Sequence, residues 1–277
     1  MNSPLDGNAP SLGTITAGLV GGAGNAAVVL ALYARAEYPV LESVTATTFL
    51  ALGAFAVGFV PLFLAAYTRL FAPAVGLLAV VVGTVYLEFT TPMPEWSEMG
   101  DYVIVDGPTH VSSYANTWYV WLALAAVVAV AEFGIRRRYG IADGRLRNLT
   151  DWPLSRTARY TVVLGTAALV GAGTSLLVVR SGVQPSPFVS VVFAFAAAAT
   201  AVPIAALFED GALLPLALFA LVPYFLVLEV FVTTDSPVHI LLFGPHAVVL
   251  AVVWWLERTA RKRLGGADGG ATDERPA

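Results

Sequence analysis

Residues 44–67 read VTATTFLALGAFAVGFVPLFLAAY, which is 24 consecutive positions without a charged side chain. At about 1.5 Å of rise per residue, a helix of this length spans the ~30 Å hydrocarbon core of a bilayer. A segment surrounded by hydrocarbon must satisfy its own backbone hydrogen bonds, which favours a helix over an open strand. This stretch therefore predicts a transmembrane helix.

Seven further apolar stretches of similar length occur along the chain, and the composition agrees with them. The chain of 277 residues is 57% hydrophobic and only 12% charged, with a mean hydropathy of +0.75. Soluble domains carry about 25% charged residues, so this chain has only about half the charged fraction that is typical of a soluble domain. We therefore predict an all-α integral membrane protein with eight transmembrane helices, near residues 12–34, 44–67, 71–90, 114–135, 158–180, 187–208, 211–233 and 238–258.

The basic residues predict which side each loop faces. Cytoplasmic loops carry an excess of Lys and Arg, and with the N-terminus inside, 13 of the 15 basic residues lie on the cytoplasmic side. The predicted protein is a multi-pass protein of the cell (plasma) membrane with both termini in the cytoplasm. Its outer loop, residues 91–113, has no basic residue and four acidic ones: Glu95, Glu98, Asp101 and Asp106. Arginine outnumbers lysine 14 to 1, and with the acidic loops this composition is typical of halophilic proteins.

The chain contains an internal duplication. Residues 126–144, AVVAVAEFGIRRRYGIADG, align without a gap with residues 251–269, AVVWWLERTARKRLGGADG. Each repeat has four helices, an even number, so the two repeats are predicted to be parallel, related by an axis along the membrane normal. Further matches occur in the same order: TAGLVG at 16–21 with TAALVG at 166–171, Pro61 with Pro203, Pro73 with Pro215, and Glu88 with Glu229.

The duplication predicts five regions along the chain. The regions are a short cytoplasmic N-terminus at 1–11, a first repeat at 12–135 with the acidic outer loop 91–113, a basic cytoplasmic linker at 136–157, a second repeat at 158–258, and a cytoplasmic tail at 259–277 that is first basic and then predicted to be disordered.

Glu132 and Glu257 occupy equivalent positions one turn before basic clusters. We expect each to pair with the arginine four residues later, Arg136 or Arg261.

The few polar groups within the apolar stretches are the candidate site residues. An ionisable group inside a membrane helix costs roughly 2.5–3.5 kcal/mol on insertion scales, so it invites a functional hypothesis. Gly244-Pro245 precedes His246 and predicts a helix break there, because proline inside a helix removes a backbone hydrogen bond. The candidates for a substrate or ion path are Glu229, His246, His239, Asp235, Glu88 and His110 in the outer half, with Asn25 and Ser175 near the midplane.

These candidates leave three interpretations open. They form an outward-opening site for a cation or a protonatable substrate, or they bind a metal or haem through carboxylate and imidazole, or they only hydrogen-bond to one another and to the backbone. No metal ligands recur at a known spacing, and we predict neither a metal nor a cofactor. In the outer loop, DYVIV predicts a short strand, and the loop is interpreted as a lid, as an attractor of cations, or as a solvated halophilic surface.

The sequence predicts a carrier or channel-like protein with a solute or cation path at the repeat interface. The alternative is a non-catalytic membrane scaffold or accessory subunit, and a third possibility is a haem or metal enzyme that uses His239 and His246. The expected partners are the bilayer, with anionic lipid headgroups at the basic inner loops, and a protein partner or a second copy of the chain. A nucleic-acid partner is not expected, and the sequence has no phosphate-binding glycine loop of the kind that binds nucleotides.

Overall fold

The computed structural model describes residues 9–100, 102–180, 182, 186–232 and 237–267. Of these described residues, 81% are helical, and the chain divides into two compact units. Unit 1 comprises Met1–Phe133, Ala142–Trp152 and Leu228–Thr233, and unit 2 comprises Gly134–Ile141, Pro153–Val227 and Thr234–Ala277.

The described residues contain eight helices that are long and apolar enough to cross a membrane. This result confirms the predicted multi-pass membrane protein. The observed ends differ from the predicted ends by a few residues, because polar caps and connecting turns extend or shorten each helix. The spans are Leu12–Arg35, Val44–Thr68, Ala72–Thr90, Trp118–Tyr139, Arg156–Arg180, Pro187–Asp210, Leu214–Val232 and His239–Arg263.

Unit 1 is built from the first three spans, a hairpin and the start of the fourth span. Its elements are α1 (Leu12–Arg35), α2 (Val44–Thr68), α3 (Ala72–Thr90), β1 (Glu95–Met99), β2 (Tyr102–Asp106), α4 (His110–Asn116) and α5 (Trp118–Tyr139), of which the last residues belong to unit 2. The strands pair antiparallel, with Glu95 opposite Asp106 and Met99 opposite Tyr102. The strand predicted at DYVIV is confirmed as β2, while its partner β1 was not predicted.

Glycines bring α1 and α2 into close contact at the middle of the pair. A Cβ atom added at Gly58 would lie 2.2 Å from the carbonyl oxygen of Gly21, so only glycine fits there. The rings of Phe59 and Phe55 lie against Gly18 and Gly22 in the same way. This is the packing that small residues four positions apart permit between membrane helices. We call this contact the glycine contact of unit 1.

Unit 2 contains the remaining spans, two of which are interrupted. Its elements are α6 (Arg156–Arg180), α7 (Ser186–Asp210), α8 (Leu214–Phe219), α9 (Leu221–Val232), of which the last residues belong to unit 1, a 3-10 helix (Pro237–Leu242) and α10 (Phe243–Ala267). Helix α7 packs against both α6 and α10.

Two prolines lie where these spans restart. Pro223 is in the first turn of α9, and Pro245 is in the first turn of α10. A proline at the start of a helix loses no intrahelical hydrogen bond, because the first N–H groups have no partner within the helix. Pro245 therefore begins a helix rather than kinking one, and the predicted break lies before it, at the junction with the 3-10 helix.

A glutamate caps the start of the third span in both predicted repeats. Glu132 Oε2 accepts a hydrogen bond of 2.7 Å from the backbone N–H of Ala72, just before Pro73. Glu257 accepts from the N–H groups of Leu213 (3.3 Å) and Leu214 (3.1 Å), just before Pro215. A carboxylate at a helix N-terminus satisfies unpaired donors and interacts favourably with the helix dipole. The expected pairing of Glu257 with Arg261 is also present, while the capping role of both glutamates was not predicted.

Candidate functional site

The end of unit 1 that carries the hairpin contains a buried carboxylate. We call residues 36–43 and 91–117 the hairpin end. Glu88, in the last turn of α3, is 4% exposed, and its Oε1 accepts a hydrogen bond of 3.2 Å from the N–H of Val111 in the first turn of α4. Arg35 donates to the backbone carbonyl of Glu88 at 3.1 Å. Glu88 therefore joins the ends of α1 and α3 to the start of α4.

Aromatic rings surround Tyr38 beside this carboxylate. The Tyr38 ring lies 4.3 Å from the ring of Tyr33 and 4.8 Å from that of Trp96, and the indole N–H of Trp96 donates to the carbonyl of Ala36 at 2.9 Å. Burial raises the pKa of Tyr38 above its usual range, the carboxylate of Glu88 raises it further, and the N–H of Ser112 partly opposes the rise. Tyr38 thus stays neutral and lies within the electrostatic influence of Glu88.

A pocket of about 340 Å³ opens in front of Tyr38. The ends of α1 and α4 and the start of α2 form its walls. Phe49 and Trp118 are exposed and lie at its rim, while Tyr33 and Tyr38 are buried. The lining is aromatic at Tyr33, Tyr38, Phe49 and Trp118, aliphatic at Val40, Ala46, Leu50 and Ala115, and polar at Ser112 and Asn116, which hydrogen-bond to each other at 3.0 Å.

The sequence segments that contribute residues to the hairpin end are mainly acidic. The sequence from 36 to 68 contains two acidic residues, Glu37 and Glu42, and no basic one, and the sequence from 91 to 117 adds four acidic residues and no basic one. Arg35 is the nearest basic residue, and its guanidinium carbon lies 4.3 Å from the centre of the Phe89 ring. A surface of one sign raises the local concentration of ions of the opposite sign, which for acidic segments means cations.

His110 and Glu229 also belong to unit 1. His110 begins α4, with its ring 6.3 Å from the ring of Phe231, and its Nε2 atom is buried without a hydrogen-bond partner in the described part of the chain. Phe231 also lies 5.8 Å from Trp121. Glu229, two residues before Phe231, is 3% exposed. Unit 1 therefore contains four of the predicted site residues: Glu88, His110, Glu229 and Asn25.

Asn25 serves as a link between helices in unit 1. Its amide donates to the carbonyl of Ala54 at 2.7 Å and accepts from the hydroxyl of Tyr114 at 2.9 Å. The indole N–H of Trp121 donates to the carbonyl of Tyr114 at 2.9 Å. With its amide oxygen and nitrogen both hydrogen-bonded to protein, Asn25 holds α1, α2 and α4 together.

The other predicted site residues, Ser175, Asp235, His239 and His246, belong to unit 2. Ser175 donates to the carbonyl of Val189 at 3.3 Å. The ring of His239 lies 5.8 Å from that of Phe225, and Nε2 of His246 is buried without a hydrogen-bond partner among the described residues. Asp235 lies outside the described residues. Across the described ranges, no group of three or more His, Asp or Glu side chains is placed to hold a metal ion.

The aromatic pocket was not predicted from the sequence. Aromatic residues near helix ends are ordinary at membrane interfaces, so they do not by themselves indicate a binding site. In the sequence, the only indication of the pocket is the pair Tyr33 and Tyr38, which flank the end of α1. The pair becomes part of a pocket only with Phe49 and Trp118, which lie in other helices.

Comparison with known proteins leaves the site to be interpreted from its own geometry. No protein-family model, no curated protein and no solved structure matches the chain. The geometry offers aromatic walls, a buried carboxylate behind them and a negative field outside. Aromatic faces and a carboxylate together are the groups that bind organic cations.

Proposed function

We propose that the protein is a small membrane carrier that binds an organic cation in the aromatic pocket of unit 1. The observation that carries the proposal is the pocket of about 340 Å³ lined by four aromatic side chains, beside the buried Glu88 carboxylate. This volume is at the lower end of the roughly 300–1,000 Å³ range of ligand sites, which suits a small amine. The eight spans support a membrane role for the protein.

The lining favours an organic cation over an inorganic ion or an anion. Calcium takes about 6–8 oxygen ligands, whereas this pocket offers mainly rings and aliphatic groups. An anion would meet the acidic residues of the hairpin end, including Glu37, Glu42 and Glu95. A protonated or quaternary amine instead gains from the faces of the rings and from the nearby carboxylate.

The proposal includes the predicted membrane topology. With both termini in the cytoplasm of a cell, the hairpin end faces outward, and the pocket receives its ligand from outside. The parallel four-helix repeats and a path at their interface belong to the same proposal. The distribution of arginines supports the orientation, because the hairpin end has no basic residue from 91 to 117.

Choline and its uncharged isostere 3,3-dimethylbutan-1-ol test the binding site directly. They have nearly the same shape, and only choline carries a charge. In nanodiscs, we expect choline to quench or shift the tryptophan fluorescence of the protein. The isostere should need a concentration at least about tenfold higher to produce the same change. Glu88→Gln and Trp118→Ala should each weaken the response to choline, while Trp255→Ala, an exposed tryptophan of unit 2, should leave it unchanged.

Uptake into proteoliposomes separates a carrier from a binding protein. We expect labelled choline to accumulate in vesicles that contain the protein and to exchange with unlabelled choline on the other side. Equal responses to choline and the isostere would refute the organic cation. Binding without uptake would refute the carrier.

A scaffold role has one observation in its favour. Only 17% of the α3 span is buried within the chain. Among the described residues, no atom other than those of the adjacent helix backbone and chain neighbours lies within 4 Å of a Cβ atom added at Gly76 or Gly83. Such a face admits close approach of another helix. If choline neither binds nor is transported, crosslinking from single cysteines placed at Gly76 and Gly83 is the measurement that decides whether a partner covers α3.

A further inference from the structure

A second cavity lies at the opposite end of unit 1. We call the start of α1, the end of α2 with Arg69, and residues 142–152 the arginine end. The cavity has a volume of about 650 Å³ and lies between these three segments. None of its lining residues is used by the proposed carrier function.

Hydrogen bonds to the end of α2 fix the wall that carries the basic residues. The backbone N–H of Arg147 donates to the carbonyl of Thr68 at 3.2 Å, and the amide of Asn148 donates to the carbonyl of Tyr67 at 2.9 Å. These bonds satisfy carbonyls that have no partner within the helix. Arg69 follows α2 directly, in the left-handed region with φ of 66°. Both arginines therefore extend from backbone positions that are held in place.

The lining combines positive charge with an apolar floor. The side chains of Arg69 and Arg147 are exposed, and Asn148 lies beside them. Leu62, Ala65, Ala66 and Phe71 supply the apolar part, and no lining residue is acidic. Ser11 already caps the start of α1 by accepting a hydrogen bond of 3.2 Å from the N–H of Thr14. The positive charge of the cavity therefore comes from Arg69 and Arg147.

We propose that this cavity binds the phosphate group of an anionic membrane lipid. Guanidinium groups bind phosphate through paired, charge-assisted hydrogen bonds. The cavity lies at the ends of membrane-spanning helices, where the lipid headgroups are. Phe71 is 52% exposed and continues the apolar floor toward the acyl chains. A lipid therefore satisfies both parts of the lining, whereas free phosphate satisfies only the basic part.

Lipid binding by the full chain tests the proposal. The purified protein is mixed with nanodiscs or vesicles of phosphatidylglycerol or phosphatidylcholine, and bound lipid is counted by native mass spectrometry. We expect phosphatidylglycerol to be retained and phosphatidylcholine to be lost. Arg69→Gln and Arg147→Gln should each reduce phosphatidylglycerol affinity about tenfold, in line with the loss of a charge-assisted hydrogen bond.

Two further variants separate a site from a charged surface. Arg145→Gln removes an exposed charge from the same linker, outside the cavity, and should leave lipid affinity within about twofold of that of the unmodified protein. Arg147→Lys keeps the charge but loses the paired hydrogen-bond geometry of a guanidinium group. Its lipid affinity should therefore lie between that of the unmodified protein and that of Arg147→Gln. The Arg147 variants retain the backbone bond to Thr68, which keeps the wall intact.

Three outcomes would overturn the proposal. The first is an equal loss of affinity in Arg145→Gln and Arg69→Gln, which indicates a diffuse charge effect. The second is equal retention of phosphatidylcholine. The third is displacement of the lipid by millimolar inorganic phosphate, which assigns the cavity to free phosphate instead of a lipid. Because choline binding is measured at the hairpin end, failure here leaves the carrier proposal unaffected.

Discussion

The hairpin end and the arginine end of unit 1 use opposite chemistry around the same pair of helices. At the hairpin end, aromatic rings line a small pocket, and the buried Glu88 carboxylate acts electrostatically on Tyr38, one of the lining residues. At the arginine end, two exposed guanidinium groups stand over an apolar floor in a larger cavity. Between them, α1 and α2 meet at Gly21 and Gly58. The two proposed sites, one for a cation and one for an anion, therefore lie at opposite ends of one helix pair with a closely packed middle.

The largest predicted effect comes from the glycine contact that both ends share. Gly58→Ala places a Cβ atom 2.2 Å from the carbonyl oxygen of Gly21, and we expect it to lower the free energy of unfolding by about 3 kcal/mol, the upper part of the range for overpacking. Thermal unfolding in detergent, followed by circular dichroism, measures the loss. Gly83→Ala is the matched control, since nothing lies within 4 Å of its Cβ position. Equal melting temperatures for the two variants would contradict this role.

The next effect separates charge from structure at the hairpin end. Glu88→Ala leaves the buried N–H of Val111 without its acceptor, and we expect a loss of about 2 kcal/mol in stability. Glu88→Gln keeps an acceptor oxygen and should cost less than half as much, while losing choline binding as fully as Glu88→Ala does. The comparison uses melting temperature and fluorescence titration on the same samples. A Glu88→Gln protein that binds choline normally would show that the carboxylate only supports the fold.

A smaller effect is expected for Glu132, the carboxylate that caps the opposite end of α3 from Glu88. Glu132 accepts from the N–H of Ala72 at the start of α3, as Glu88 does for α4. Glu132→Ala should lower stability by about 1 kcal/mol, the typical value for loss of a helix cap, and should not change choline affinity. If Glu132→Ala weakened choline binding as strongly as Glu88→Gln does, the two ends would not be independent.

The smallest effect is a pH dependence at the hairpin end. Burial, together with Glu88, raises the pKa of Tyr38, so above about pH 10 the unfolded chain releases this proton more readily than the folded chain. Stability should therefore be fully present below pH 10 and decline as the pH rises. Melting temperatures between pH 8 and 11 should fall less steeply in Tyr38→Phe than in the unmodified protein. Tyr86→Phe, at an exposed position of α3, should keep the original slope.

The eight spans were predictable because hydropathy is a local property. A run such as residues 44–67 must be a helix in hydrocarbon wherever its neighbours lie. Proline also acts locally, because it affects only the backbone of its own helical turn. Pro73 and Pro215 lie at helix starts, and Pro61 and Pro203 lie inside helices. The positions where α9 and α10 restart were harder to predict, because proline alone does not distinguish a kink from a new helix.

The polar contacts were less predictable because they join distant parts of the chain. Glu132 and Ala72 are 60 residues apart, and local spacing favoured only the arginine four residues later as a partner for Glu132. The pocket needs Tyr33, Phe49 and Trp118 from three different helices. Glu88 was a candidate because of its charge, but its contact with Val111 depends on how α4 folds back.

The register of the hairpin links the fold to the ionic strength of its surroundings. Glu95 faces Asp106 directly across the two strands, and both side chains are exposed. Like charges directly opposite each other, about 4.5–5.5 Å apart between Cα atoms, destabilise a strand pair. At about 0.1 M salt the Debye length is about 10 Å and leaves this repulsion in place, whereas at about 1 M salt it is about 3 Å. The strands should therefore pair more firmly in concentrated brine than in ordinary laboratory buffer.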